Sequence, residues 1–121
     1  MLTAVHTLIY ADDPAAARAF FRDVLEYPVA DAGDGWLIFK LPATELGVHP
    51  TGGSVATNTM KLSLMCDDVE ATIAELEKKG VEVLGPPVDR GYGLVTAIRV
   101  PGGVELELYQ PRHPTAYDLD G

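Results

Sequence analysis

The sequence repeats its own plan, and that repetition constrains the fold more than any other feature. His6-Thr7-Leu8-Ile9-Tyr10-Ala11-Asp12-Asp13-Pro14 lies over Lys61-Leu62-Ser63-Leu64-Met65-Cys66-Asp67-Asp68-Val69 at an offset of 55 residues, close to half of the 121-residue chain. In each copy an apolar stretch ends in Asp-Asp, a helical pattern follows, and short strand-like segments come after it. Between the copies, Pro50 to Asn58 is small, polar and Gly-containing, which reads as a linker.

The first copy predicts a strand at about 3–10. Asp13 is a good N-cap, and Pro14 at the first helical position gives up an N–H it does not need. Ala16, Phe20 and Val24 recur at helical spacing through about residue 25. Tyr27–Ala30, Trp36–Leu41 and Glu45–His49 then read as strands, with Asp34-Gly35 as a hairpin signal and Pro42 as a break. The second copy predicts a strand at about 60–66 and a helix capped by Asp67 or Asp68. Val69, Ile73 and Leu76 share a face of that helix, Glu75 stands four residues before Lys79, and Gly80 closes it. Strands follow at Val81–Leu84, Leu94–Val100 and Val104–Gln110, and the tail from Pro111 is too polar and Pro-rich to continue them.

Each copy is therefore β-α-β-β-β, and a single copy leaves one sheet face uncovered, so two must pair within a chain or between chains. The expected architecture is α+β: two βαβββ modules forming one curled, cup-like mixed sheet with the helices outside. The expected domain is single and covers 1–121: module one at about 3–50, linker at about 51–59, module two at about 60–112 and tail at 113–121. The length and the 47% apolar, 22% charged composition suit one globular domain. Eighteen acidic against nine basic side chains, a formal charge of −9, argue against nucleic acid. No apolar run reaches membrane-spanning length, and the N-terminus lacks a basic signal-peptide region. One cysteine, Cys66, excludes an internal disulfide framework and a multi-thiolate zinc site, and suits a cytoplasmic setting.

The paired plan, the twin Asp-Asp helix starts, Ala19-Phe20-Phe21…Leu25 and the closing Gly102-Gly103-Val104-Glu105-Leu106-Glu107-Leu108 resemble the vicinal oxygen chelate superfamily. That superfamily includes glyoxalase I, bleomycin-resistance proteins, fosfomycin-resistance enzymes and extradiol dioxygenases, so the resemblance implies a fold and leaves the activity open. Its metal-binding members place ligands on the first and last strands of each copy, facing into the cup. Carried over by position, His6 and Glu107 match; Lys61 and Gly47 depart, while His49 keeps the face of Gly47 by the period-2 alternation.

The resemblance thus implies a site of His6, His49 and Glu107 for Fe, Mn, Zn or Ni, with no organic cofactor. Two neighbouring substrate oxygens would chelate that metal, with Glu105 as candidate base and Tyr109 as candidate acid or hydrogen-bond donor. Each residue also has a plainer role. His6 and His49 suit ordinary strand positions, and Glu105 and Glu107 alternate with Leu106 and Leu108 as a solvated face would. A Lys61–Glu107 ion pair would replace the metal outright. Lys61, Trp36 and Tyr92 are candidate ligand-binding residues, while Phe39 reads as core. Carboxylates beside Cys66 are expected to raise its pKa, and His113 reads as solvated.

Two functions follow. One is a metal-dependent lyase, isomerase or dioxygenase of glyoxalase type acting on a small oxygenated molecule. The other is a metal-free, bleomycin-resistance-like binding protein whose acidic groove holds a cationic compound. A catalytically silent module is a third possibility. A homodimer is expected, with neither nucleic acid nor membrane as partner.

Overall fold

Two aspartates set the frame of the computed structural model, which describes residues 1–120. Asp13 Oδ1 accepts the Ala16 N–H at 3.0 Å and starts helix α1 (Pro14–Asp23), with proline in its first turn. Asp68 Oδ1 does the same for Ala71 at 3.1 Å and starts α2 (Val69–Lys78). Gly80, at φ 81°, ends α2 with Val81 N–H bonded to Leu76 O, a left-handed cap that glycine adopts without steric cost.

The strands are β1 (Val29–Asp31), β2 (Leu37–Phe39), β3 (Ser63–Met65), β4 (Val88–Asp89), β5 (Gly93–Val100) and β6 (Val104–Pro111). β1 and β2 form an antiparallel hairpin turned at Asp34 and Gly35, both at positive φ, as the Asp-Gly signal predicts. The other four make a sheet in the order β3-β6-β5-β4, with β3 parallel to β6 and the remaining pairs antiparallel.

Alternation along β5 and β6 sorts the sheet into two faces. Ile98, Val100, Leu106 and Leu108 point to one side and form a buried cluster with Phe20 and Phe21 of α1 and Val69 and Leu76 of α2. The opposite face carries Val95, Ala97, Arg99, Glu105, Glu107 and Tyr109, and is the more polar of the two. A β-hairpin contributes both at once because successive side chains alternate.

The β5–β6 turn joins the two halves. Asp12 and Asp13 N–H groups both reach Gly102 O, at 2.8 and 3.3 Å, just ahead of α1. A Cβ on Gly102 would fall 2.4 Å from Asp13 O, so this approach requires glycine.

Several sequence expectations are corrected. Residues 3–10 and 45–49 join no ladder and form no strand. Val81–Leu84 reduces to a single bridge between Val83 and Ile98, and β4 was not foreseen. The α+β class holds, with two helices and, among the described residues, hydrogen-bonded strands in two sheets, one of them mixed. The physical reason is common to the corrected cases: alternation specifies which side chains face inward, whereas a strand also needs a neighbouring backbone. Leu46 and Val48 show the consequence, standing 90% and 91% exposed. The tail prediction is also off by one residue, because β6 runs through Pro111.

Candidate functional site

The residues singled out from the sequence divide between two places, the polar sheet face and a groove in the first half. On the sheet face, register puts Ser63 and Ala97 on either side of Glu107, and Met65 and Val95 on either side of Tyr109. Lys61 Nζ pairs with Glu107 Oε2, and Ser63 Oγ donates to Glu107 Oε1 at 3.2 Å. The Glu107 side chain is only 15% exposed, so these two donors satisfy a carboxylate that would otherwise be costly to cover.

Tyr109 continues the same face. Its ring meets Tyr92 edge-on at 5.7 Å and lies against His113 at 6.0 Å. His113 Nδ1 is 2.8 Å from Pro114 O, and a carbonyl oxygen only accepts, so Nδ1 carries the hydrogen. Nε2 is then the acceptor, and the Tyr109 hydroxyl donates to it at 3.3 Å. Burial pushes the Tyr109 phenol above its usual range, and the carboxylates of Glu45 and Glu107 add to the shift. His113 therefore belongs to the cluster, correcting its reading as a solvated tail residue. Extending the period-2 pattern of β6 from Glu107 and Tyr109 through Pro111 would have found it.

Glu105 sits apart, exposed, with Arg99 NH1 at 3.4 Å; Arg99 also pairs with Glu82. His49 is exposed, with Nδ1 2.7 Å from the neighbouring Pro50 O. His6 lies in the groove. Among the described residues no group of three or more His, Cys, Asp or Glu side chains is placed to hold a metal. As placed, His6, His49 and Glu107 do not fit one, because both Glu107 oxygens are engaged by Lys61 and Ser63. Cys66 is shifted upward as expected, but burial is the main cause and Asp67 and Asp68 are lesser ones.

The groove has a volume of about 900 Å³ and runs between residues 5–9, α1 and residues 36–46. Leu8, Phe21 and Ile38 supply apolar walls; His6, Arg18, Lys40 and Glu45 are its titratable side chains. Trp36 lies at its edge with the Arg18 guanidinium 5.0 Å from the ring centre. Phe39 reaches both places, packing on the core and lining the groove. Sequence reasoning missed Arg18, although Pro14, Ala17, Arg18 and Phe21 stand at one-face helical spacing.

Glu45 links the two regions. It lines the groove, and its Oε2 accepts the Ala116 N–H at 2.7 Å, tying down the tail that carries His113.

Comparison with known proteins adds a family and a fold. The sequence model described as the Glyoxalase/Bleomycin resistance protein/Dioxygenase superfamily matches residues 3–108. No curated protein matches the chain significantly. Among solved structures, a lactoylglutathione lyase from Agrobacterium tumefaciens superposes with a TM-score of 0.62 at 22% identity, covering 90% of this chain and 94% of that one. A glyoxalase/bleomycin resistance protein/dioxygenase from Nocardioides gives 0.58 at 18% identity, over 99% and 93%. TnmS3, an antibiotic binding protein from Streptomyces sp. CB03234, gives 0.54 at 19% identity, over 92% and 99%. At these identities the likeness is one of fold.

Proposed function

Because this chain belongs to the glyoxalase/bleomycin resistance protein/dioxygenase superfamily, through a match over residues 3–108, we propose that it binds a small oxygenated molecule without a metal. The groove of about 900 Å³ carries the proposal: its size is that of drug-sized ligand sites, and it combines apolar walls with a few polar groups. The superposition with an antibiotic binding protein is consistent with a binding role.

The engagement of Glu107 supports the metal-free form. A divalent ion would need the oxygens that Lys61 and Ser63 occupy, and a protonated lysine repels it. The enzyme reading keeps His6, His49 and Glu107 as ligands, Glu105 as base and Tyr109 as acid. It requires Glu107 to release both partners and the two histidines to move to it. Within the binding reading, Trp36 is a ligand contact at the groove, while Lys61 and Tyr92 shape the sheet face.

Metal analysis separates the two. Protein purified without an affinity tag should carry no near-stoichiometric Fe, Mn, Zn or Ni and take up none on titration. Near-stoichiometric metal that is lost in His6→Ala would overturn the metal-free reading.

The proposal includes a homodimer in the cytoplasm. Tyr10 and Val48, outside the groove lining, are large apolar side chains left exposed on strand-patterned segments, the pattern a second chain would cover. The single thiol suits a reducing compartment. Among the described residues, no helix is long and apolar enough to cross a membrane.

A further inference from the structure

We infer that the ligand of the groove is an amphiphilic anion: an apolar body ending in a carboxylate or comparable acid group. This rests on the groove being the binding site, and names the chemistry it selects.

The inference comes from a reversal of sign. The chain carries −9 overall, which predicts a preference for cations. The groove departs from that balance, with Arg18 and Lys40 as permanent cations, His6 as a further donor, and Glu45 as its only carboxylate. Glu45 is also engaged, since one oxygen holds the Ala116 N–H. Arg18 and Lys40 form no ion pair among the described residues, so both charges remain free for a ligand.

Arg18 is suited to the task in detail. Its guanidinium carbon lies 5.0 Å from the centre of the Trp36 ring, and among the described residues no hydrogen bond or ion pair occupies the N–H edge of the group. That edge matches the two oxygens of a carboxylate. The adjoining walls of Leu8, Phe21 and Ile38 offer no comparable polar group and suit an aliphatic or aromatic body. A cationic ligand would meet two like charges here, and an uncharged one would leave both unanswered.

Two related dyes test this on the intact protein: anilinonaphthalene sulfonate, which is anionic, and N-phenylnaphthylamine, its uncharged counterpart. Trp36 is the only tryptophan, so energy transfer from it reports dye bound to this chain, and its response to substitution of the groove residues Arg18 and Lys40 places the dye there. The anionic dye should bind about tenfold more tightly than the neutral one. Arg18→Met and Lys40→Met should each remove most of that preference by weakening only the anionic dye, while Arg90→Met, outside the groove, changes neither. Laurate should displace the anionic dye and dodecanol should not.

Equal affinity for the two dyes, unaltered by either substitution, would overturn the anion inference and leave the groove standing. If neither dye receives energy from Trp36, as when a second copy fills the groove, the groove reading falls and this inference with it.

Discussion

Glu107 is the side chain on which the metal-dependent and metal-free readings part. Its position is the one the superfamily resemblance assigns to a metal, yet a lysine two residues ahead of β3 and a serine hydroxyl on β3 answer its charge. This was legible beforehand because the repeat aligned Lys61 with His6. The cost of losing the pair is modest, since the Lys61 side chain is 65% exposed and solvent screens it. Lys61→Met should lower the unfolding free energy by about 1 kcal/mol in urea titration, and adding Glu107→Gln should recover part of the loss. Tyr109 makes a second residue-level case. Its raised phenol favours the neutral form in the folded state, so its contribution to stability is whole below the unfolded tyrosine pKa and declines as pH rises through the folded value. Burial raises the Tyr27 phenol as well, so ultraviolet titration of native protein should show two late-ionising phenols, one of which is lost in Tyr109→Phe. Persistence of the full late component would refute that assignment.

At the scale of elements, success followed the range of the signal. Both helices could be located because an Asp cap and the apolar stripe behind it are local, and the β5–β6 hairpin because its alternation and turn lie together. Residues 3–10 have the same alternation but no adjacent backbone, and no local pattern encodes that. His113 was missed for a different reason: proline composition was allowed to end the strand, although β6 carries Pro111. The turn at Gly102 offers the sharpest element-level test. Gly102→Ala would place a methyl 2.4 Å from Asp13 O at a φ of +102°, so it should cost about 1–3 kcal/mol by urea unfolding. Gly85→Ala, where a Cβ meets nothing within 4 Å and no positive φ is required, serves as the near-neutral control. Equal stability of the two variants would mean that the close approach does not hold in solution.

For the whole molecule, order is concentrated unevenly. The β5–β6 hairpin and its two helices supply the buried core, whereas residues 1–10 leave Val5, Leu8 and Tyr10 exposed. A homodimer would correct that imbalance. Light scattering should then give about twice the 13.0 kDa chain mass, and backbone hydrogen exchange in residues 1–10 should slow as protein concentration rises. A monomer whose exchange is insensitive to concentration would sink the dimer. The groove wall formed by residues 5–9 would gain rigidity from the same association, which would make dimerisation and ligand affinity thermodynamically linked.

The bond from Asp12 and Asp13 to Gly102 also sets an order of events during synthesis. The Asp-Asp step leaves the ribosome about 90 residues ahead of the carbonyl that anchors it. The helix that begins at Pro14 can form on local signals, but its entrance stays untethered until the β5–β6 hairpin closes. A ribosome that stalls before Gly102 would therefore hold a nascent chain with Phe20 and Phe21 still looking for their core, a natural client for a chaperone.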